Sequence, residues 1–468
     1  MLFNSLHYVI FFPIIIALYF ALRKNWRWVL LLAGSYYFYM SWKPEYALLL
    51  LASTYIDFWA GLKMSKLGTK KERLPFLILS CFSNLGILFF FKYFNFFSLN
   101  IHELASMSGA SFPPITHYVL LPLGISFYTF QTLSYSIDLY NGSIKPESHF
   151  GYFALYVSFF PQLIAGPIER SSHLIPQLRK SVNLDLQDIR YGLNKIALGF
   201  FKKLVIADNV GVYVDYVFAD LSVSNGTQVF AALVFFGIQL FCDFSGYTDI
   251  GIGSARLLGI KLVENFNRPY WVKSIRDFWS RWHMSLTQWV FIYMQYPLLG
   301  NKAGEARRFW VNVLVLVAIG FWHGASWTFV LFGLSHGLII GIQGQIEVAR
   351  SIPRIENKIY RKAVIPIWNA ILICLSTLMF RAQSLDDVFV GYGKIFTDWR
   401  WDLSSVTSGF GGGSGFFILV LLSLLLVPTI FFNRELKFRS NLLYLMVIFT
   451  LIIMFGEDAN QQFIYFQF

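Results

Sequence analysis

Apolar residues in this chain gather into long continuous runs, with polar residues confined to the stretches between them. The runs cover about 6–22, 28–42, 46–62, 74–98, 118–137, 150–166, 197–218, 228–260, 309–322, 326–345, 364–381, 415–432 and 441–456. Inside a bilayer the backbone must satisfy its own hydrogen bonds, so only helices and closed barrels can span it. Barrel strands alternate apolar and polar positions, whereas these runs are continuous, and continuity selects helices. The pattern therefore predicts an all-α polytopic membrane protein.

Composition agrees with the pattern. Of 468 residues 56% are hydrophobic and 14% charged, against about 25% charged in a soluble domain. The net charge of +12 could suggest nucleic acid or anionic lipid, but the basic residues fall in particular loops: 23–27, 63–73, 170–203, 261–281, 302–308, 350–362 and 434–439. Loops 99–117, 219–227 and the glycine-rich 383–414 are poor in Lys and Arg. Placing every basic loop in the cytoplasm gives a consistent path with both termini outside, so charge marks topology and not a nucleic-acid partner. It also requires 309–345 to be a hairpin that turns near His323-Gly324-Ala325-Ser326. No cleavable signal peptide is expected, because Arg23, Lys24 and Arg27 follow the first apolar run instead of preceding it.

Two segments do not read as simple spans. Residues 161–203 mix Pro161, Gly166, Pro167 and Pro176 with basic and apolar residues, and 265–300 mix Arg268, Lys273, Arg276, Asp277, Arg281 and His283 with aromatics. Irregular or charged segments at membrane depth must be buried in protein or line a cavity. Both are expected to be re-entrant or interfacial helices around a central cavity, within one membrane-embedded unit spanning 1–468.

Chemistry is sparse. His323 lies inside an apolar stretch, where an unpaired polar ring costs roughly 2–7 kcal/mol, and histidine suits proton transfer near neutral pH. His283 is the second candidate. On a helix Asp277 and Arg281 would pair at i,i+4, with Trp279, Trp282 and His283 on another face. His336 reads as a packing or helix–helix hydrogen-bonding residue. Asp243 and Asp249 need partners, and the arginines of 268–281 are nearest in sequence, which suggests a structural ion-pair network. Cys81, Cys242 and Cys374 lie in apolar runs without a CxxC and read as small hydrophobes. No phosphate loop, dinucleotide fingerprint, metal set or GxSxG elbow is present. Two histidines without a nucleophile suit general-base activation of a hydroxyl toward an activated acyl donor.

Residues 276–286 (Arg-Asp-Phe-Trp-Ser-Arg-Trp-His-Met-Ser-Leu) and 320–329 (Gly-Phe-Trp-His-Gly-Ala-Ser-Trp-Thr-Phe) resemble the two signature segments of the membrane-bound O-acyltransferase family. Residues 159–168, 243–253 and the terminal Phe-Ile-Tyr-Phe-Gln-Phe of 463–468 resemble its bacterial, alginate O-acetylation branch. The resemblance implies a ring of about 11–13 helices with re-entrant segments, a catalytic core near 110–345, and peripheral helices at 1–109 and 346–468. It implies that His323 is the catalytic histidine and His283 a second one, with Arg276, Arg281, Trp279 and Trp282 along a cytoplasmic funnel for the donor. It implies no tightly bound cofactor, acetyl-CoA as donor, and transfer toward an extracytoplasmic polysaccharide such as alginate, from a bacterial inner membrane. The chain has no GDSL-type serine hydrolase domain, so an extracytoplasmic SGNH/GDSL-type acetyltransferase is the expected partner, besides the membrane lipids. One departure stands out: Val290-Phe291-Ile292-Tyr293 is uncharged where relatives often carry an Arg-Asp pair, which weakens the link to alginate in particular. The competing expectations are D-alanyl transfer to teichoic acid, and a polysaccharide transporter without acyl chemistry.

Overall fold

Every regular element among the described residues is helical, as continuous apolar runs require. The computed structural model describes residues 1–110, 112–180, 185–348, 360–401, 403–408, 442–456 and 463–464. The apolar run at 415–432, the basic loop 434–439, residues 350–359 and the last four residues lie outside them. Among the described residues, five helices are long and apolar enough to cross a membrane: Glu45–Ser65, Lys70–Met107, Gly226–Leu257, Trp327–Gln345 and Lys362–Arg381. The chain is a multi-pass membrane protein, and it divides into two compact units.

The first unit comprises Met1–Ile196 and Thr248–Val263. Its helices are α1 (Leu6–Ala21), α2 (Arg27–Met40), α3 (Glu45–Ser65), α4 (Lys70–Leu88), α5 (Phe94–Met107), α6 (Ile125–Asn141), α7 (Phe150–Ser158), α8 (Phe160–Leu163), α9 (Ser171–Arg179) and most of α10 (Leu186–Phe200). A buried polar knot joins three of them. The Asp57 carboxylate on α3 accepts from Ser80 Oγ at 2.6 Å and Asn84 Nδ2 at 2.9 Å, both on α4. From α6, Thr132 Oγ1 donates to Asn84 Oδ1 at 3.1 Å, and the Ser136 and Ser80 hydroxyls meet at 2.7 Å. Each polar group left unpaired at this depth would be costly, so the knot fixes which helices can pack together.

Three boundaries differ from the apolar pattern. The run expected to end at 98 continues as helix to Met107, through a wide π turn at Phe89–Tyr93. Polar residues such as Asn95 and Asn100 end an apolar run without ending a helix. The run at 118–137 becomes helix only from Ile125. Pro122 supplies no N–H donor there, and Gly124 adopts φ +73°, where a Cβ would stand 2.3 Å from the Leu163 carbonyl oxygen. The run at 150–166 breaks at Phe159, ahead of Pro161. The irregular 161–203 segment holds short helices tied down by ions: Arg170 bonds Asp138 at 2.8 Å, His173 meets Glu169 at 2.6 Å, and Arg179 pairs with Glu147.

The second unit comprises Ala197–Tyr247 and Glu264–Phe468. It contains α11 (Asp208–Ala219), most of α12 (Gly226–Leu257), α13 (Ile275–Trp279), α14 (Met284–Val290), α15 (Tyr296–Leu299), α16 (Glu305–His323), α17 (Trp327–Val348), α18 (Ile365–Arg381), α19 (Leu385–Thr397), α20 (Leu403–Ser408) and α21 (Leu442–Phe455). The hairpin expected from the charge pattern is α16–α17, and its turn falls at 324–326. Glycines let the two backbones approach closely, as small residues do between membrane helices. A Cβ at Gly320 would lie 2.2 Å from the Phe329 carbonyl oxygen, one at Gly333 2.3 Å from that of Leu316, and one at Gly337 2.7 Å from Val313 Cα.

Candidate functional site

His323 is the last residue of α16 and is 4% exposed. Gly324 turns the chain immediately afterwards with extended backbone, and a Cβ there would stand 2.2 Å from the Phe329 ring. The His323 ring is packed edge-on between aromatics: Trp322 at 4.8 Å and Phe380 of α18 at 5.0 Å between centroids. Trp322 is also the near neighbour of His283, at 6.0 Å and edge-on. One indole therefore stands against both histidines.

His283 is fully buried and has φ +45°, one of two non-glycine residues with positive φ among those described. It caps α14: its Nδ1 accepts the Leu286 N–H at 3.2 Å. An acceptor Nδ1 places the proton of the neutral ring on Nε2. Asn265 clamps the same turn, accepting the Met284 N–H on its carbonyl at 2.9 Å and the Ser285 hydroxyl on Oδ1 at 2.6 Å. The helix expected to carry Trp279, Trp282 and His283 on one face stops at Trp279, because these tertiary bonds hold 280–283 as a turn. Asp277 and Arg281 do pair, at 2.8 Å.

A cavity of about 600 Å³ opens in this unit, lined among others by Arg276 and Trp279 of α13 and its cap Ser280, Met284, Thr287 and Gln288 of α14, Val290, Phe291 and Gln295, and Ile340 of α17. The wall from α16 is Arg308, Asn312, Val315, Leu316 and Ile319. Those positions recur at the spacing of one helical face, and the next in phase is His323. From Arg308 to His323 the helix rises roughly 22 Å at 1.5 Å per residue. Two guanidinium groups, Arg276 and Arg308, thus join a wall of amides, in which Gln295 Nε2 donates to Asn312 Oδ1 at 2.8 Å, and an apolar stretch that leads toward the histidine. Arg281 and Trp282 are not among the lining residues: Arg281 turns to Asp277, and Trp282 stacks on Phe278 at 5.6 Å and meets Phe266 at 5.0 Å. The uncharged Val290 and Phe291 form part of the cavity wall.

The carboxylates take lysines as partners, not the arginines of 268–281. Asp243 on α12 bonds Lys203 at 2.8 Å, and Lys203 also bonds Asp208 at 2.7 Å. In the first unit Asp249 pairs with Lys195 at 2.9 Å. Closeness along the chain was a poor guide here, because Arg276 faces the cavity and Arg281 is committed to Asp277. The second Asp243 oxygen accepts the Ile464 N–H at 2.7 Å, and Phe463 stacks on Tyr247 at 4.6 Å and meets Phe244 at 5.9 Å. Phe244 in turn lies 4.8 Å from His283. This much of the terminal aromatic segment is fastened near the second histidine; residues 465–468 lie outside those described. Sequence reading passed over Arg308, Asn312, Gln288, Gln295 and Lys203. Counting back from His323 by helical phase would have found the first two.

The profile of MBOAT, the membrane-bound O-acyltransferase family, matches residues 79–385. The chain is 34% identical to the probable alginate O-acetylase AlgI of Pseudomonas aeruginosa, over 85% of this chain and 75% of that one. It is 36% identical to the peptidoglycan O-acetyltransferase of Helicobacter pylori, over 67% and 63%. It is 29% identical to the teichoic acid D-alanyltransferase of Bacillus subtilis, over 57% and 68%. His323 and His283 are themselves not among the residues that line the cavity, His323 standing one helical turn beyond Ile319. The matched span and the relatives show that this chain belongs to the membrane-bound O-acyltransferase family and is an acyltransferase.

Proposed function

We propose that this protein takes an acetyl group from a cytoplasmic thioester, acetyl-CoA, and passes it across a bacterial inner membrane for O-acetylation of an extracytoplasmic polysaccharide such as alginate. An extracytoplasmic SGNH/GDSL-type acetyltransferase receives the group and completes the transfer, and both termini of this chain lie outside. The observation that carries the reading is the α16 wall: arginine at its basic end, the Asn312 amide and then apolar residues along it, and His323 next in phase after Ile319, the last lining residue. Guanidinium groups suit the phosphates of a coenzyme A donor, and the apolar stretch Val315, Leu316 and Ile319 suits the acyl thioester.

In this reading neutral His323 accepts the proton of the acceptor hydroxyl as its oxygen attacks the thioester carbonyl. The carbon–sulfur bond then breaks, and the departing thiolate takes the proton from the imidazolium. An alcohol attacks a thioester poorly without such a base, whose contribution is typically 10²–10⁴-fold. The negative end of the α16 dipole favours positive charge on the ring as the proton arrives. His283 has Nδ1 committed to the Leu286 N–H, so its Nε2–H serves as a donor toward the carbonyl oxygen rather than as a base.

Transfer of labelled acetyl from acetyl-CoA by purified protein in nanodiscs tests the proposal, with a D-alanyl carrier protein as the rival donor. His323→Ala and His323→Gln should each lower turnover by about 10²-fold or more while leaving donor binding intact. Label accepted only from the D-alanyl carrier would overturn the donor, and an acetylated imidazole trapped without acceptor would replace the general base by a covalent relay.

A further inference from the structure

His336 is 1% exposed, lies on α17 and is not among the residues that line the cavity. Both its ring nitrogens are engaged. The Trp279 indole donates to Nδ1 at 3.1 Å, and Nε2 meets Ser376 Oγ of α18 at 2.8 Å. An indole N–H can only donate, so Nδ1 must accept and the neutral ring carries its proton on Nε2. That proton goes to Ser376 Oγ, whose own hydrogen goes to the Ile373 carbonyl at 2.7 Å. The chain runs in one direction, from indole through imidazole and hydroxyl to carbonyl, and every donor in it meets an acceptor.

The far end of this chain is a wall of the cavity. α13 has five residues, too few to persist as a helix on their own. Besides local bonds of Asp277 to Lys273, Ser274 and Arg281, two of its bonds go to α17: the Ile275 N–H donates to Gln343 Oε1 at 3.2 Å, and Trp279 donates to His336. Gln343 and His336 are seven residues apart and so lie on one face of α17, which grips the short helix at two points. Arg276, Trp279 and Ser280, the three residues that α13 and its cap present to the cavity, are placed by that grip. Rings continue the contact on the other side: His336 packs on Phe332 at 4.5 Å, Phe332 on Phe380 at 5.2 Å, and Phe380 on His323 at 5.0 Å.

We propose that His336 is a positioning residue for donor binding, which through the Trp279–His336–Ser376 hydrogen-bond chain holds the α13 wall of the cavity in its binding geometry. This rests on the reading of the cavity as the donor site. A buried indole N–H stripped of its acceptor is costly, so α13 will shift to find another partner, and Arg276 and Ser280 will move with it.

The test is steady-state kinetics on the full chain in nanodiscs with acetyl-CoA varied. His336→Phe keeps the ring packing and removes the acceptor; donor KM should rise about tenfold with kcat within about threefold. His336→Asn restores an acceptor near Nδ1 and should recover most of the wild-type KM. Trp279→Phe should raise KM in the same way, and the Trp279→Phe/His336→Phe pair should be no worse than either single change, because neither partner is then left unpaired. Equal losses in the Phe and Asn variants, or additive losses in the pair, would overturn the proposal, as would a fall in kcat at unchanged KM. If His336→Phe does not fold, Ser376→Ala decides through the same split, because it breaks the chain at a residue that does not line the cavity. Arg308→Ala separates the proposal from the reading beneath it: an unchanged donor KM there means the cavity is not the donor site, whereas a raised KM with an unaffected His336→Phe removes only the role of His336.

Discussion

In the proposed mechanism His283 is both a helix cap and a hydrogen-bond donor to the reacting carbonyl, and one substitution can separate the two. Its left-handed backbone costs an L-residue roughly 1–2 kcal/mol, and strain of this kind persists where the surroundings over-determine it. Here the determinants are the Leu286 cap bond and the Asn265 clamp. Asparagine tolerates that backbone region and caps helices well through its side-chain oxygen. His283→Asn should therefore keep the thermal stability of the purified protein while acetyl transfer falls at least about tenfold, since the Nε2–H donor is gone. Transfer at the wild-type rate would leave His283 as a cap and nothing more. At this scale the sequence was half informative. A histidine in an apolar run stands out, but nothing local announces that the helix ends at Trp279, because the turn is imposed by Asn265, eighteen residues before His283. The partners of Asp243 and Asp249 were equally invisible: two lysines at longer range displaced the arginines closer by.

The elements were legible wherever charge and hydropathy acted together. Basic loops on both sides of 309–345 forced a reversal, and the turn falls where that argument placed it. Hydropathy alone did less well. It marked the end of an apolar run at 98 although the helix continues to Met107, and it began a helix at 118 although Pro122 and Gly124 delay it to Ile125. The α16–α17 hairpin holds His323 at its apex, so its packing should govern the site. Gly333 faces the Leu316 carbonyl so closely that a methyl group would have to displace backbone. Gly333→Ala is expected to destabilise the protein by about 1–3 kcal/mol, the usual cost of overpacking, and to reduce turnover by moving His323. Gly86, inside α4 with open space at its Cβ position, is the matched control. Gly86→Ala should be neutral or slightly stabilising, because alanine is the better helix former. Equal melting temperatures for the two variants, measured in the same detergent, would show that the hairpin tolerates separation.

For the whole molecule, loop charge predicts an orientation, and the cavity says what that orientation would mean. If the basic loops are cytoplasmic, the Arg308 end of the α16 wall faces the compartment that holds the donor, and His323 lies at the far end of that wall, toward the acceptor side. Four exposed positions report the sides of the membrane. Lys66 and Arg307 belong to basic loops, whereas Val223, 78% exposed, and Trp401, 93% exposed, lie in loops poor in Lys and Arg. Single cysteines at Val223 and Trp401 should react with a membrane-impermeant maleimide on intact cells. Cysteines at Lys66 and Arg307 should react only after permeabilisation. The three native thiols, Cys81, Cys242 and Cys374, are buried or half-buried and give a low background. The opposite labelling would turn the arginine end of the cavity outward, away from any cytoplasmic thioester. Acetyl-CoA could not then enter at Arg308, and the proposed direction of transfer would fail even if both histidines proved essential.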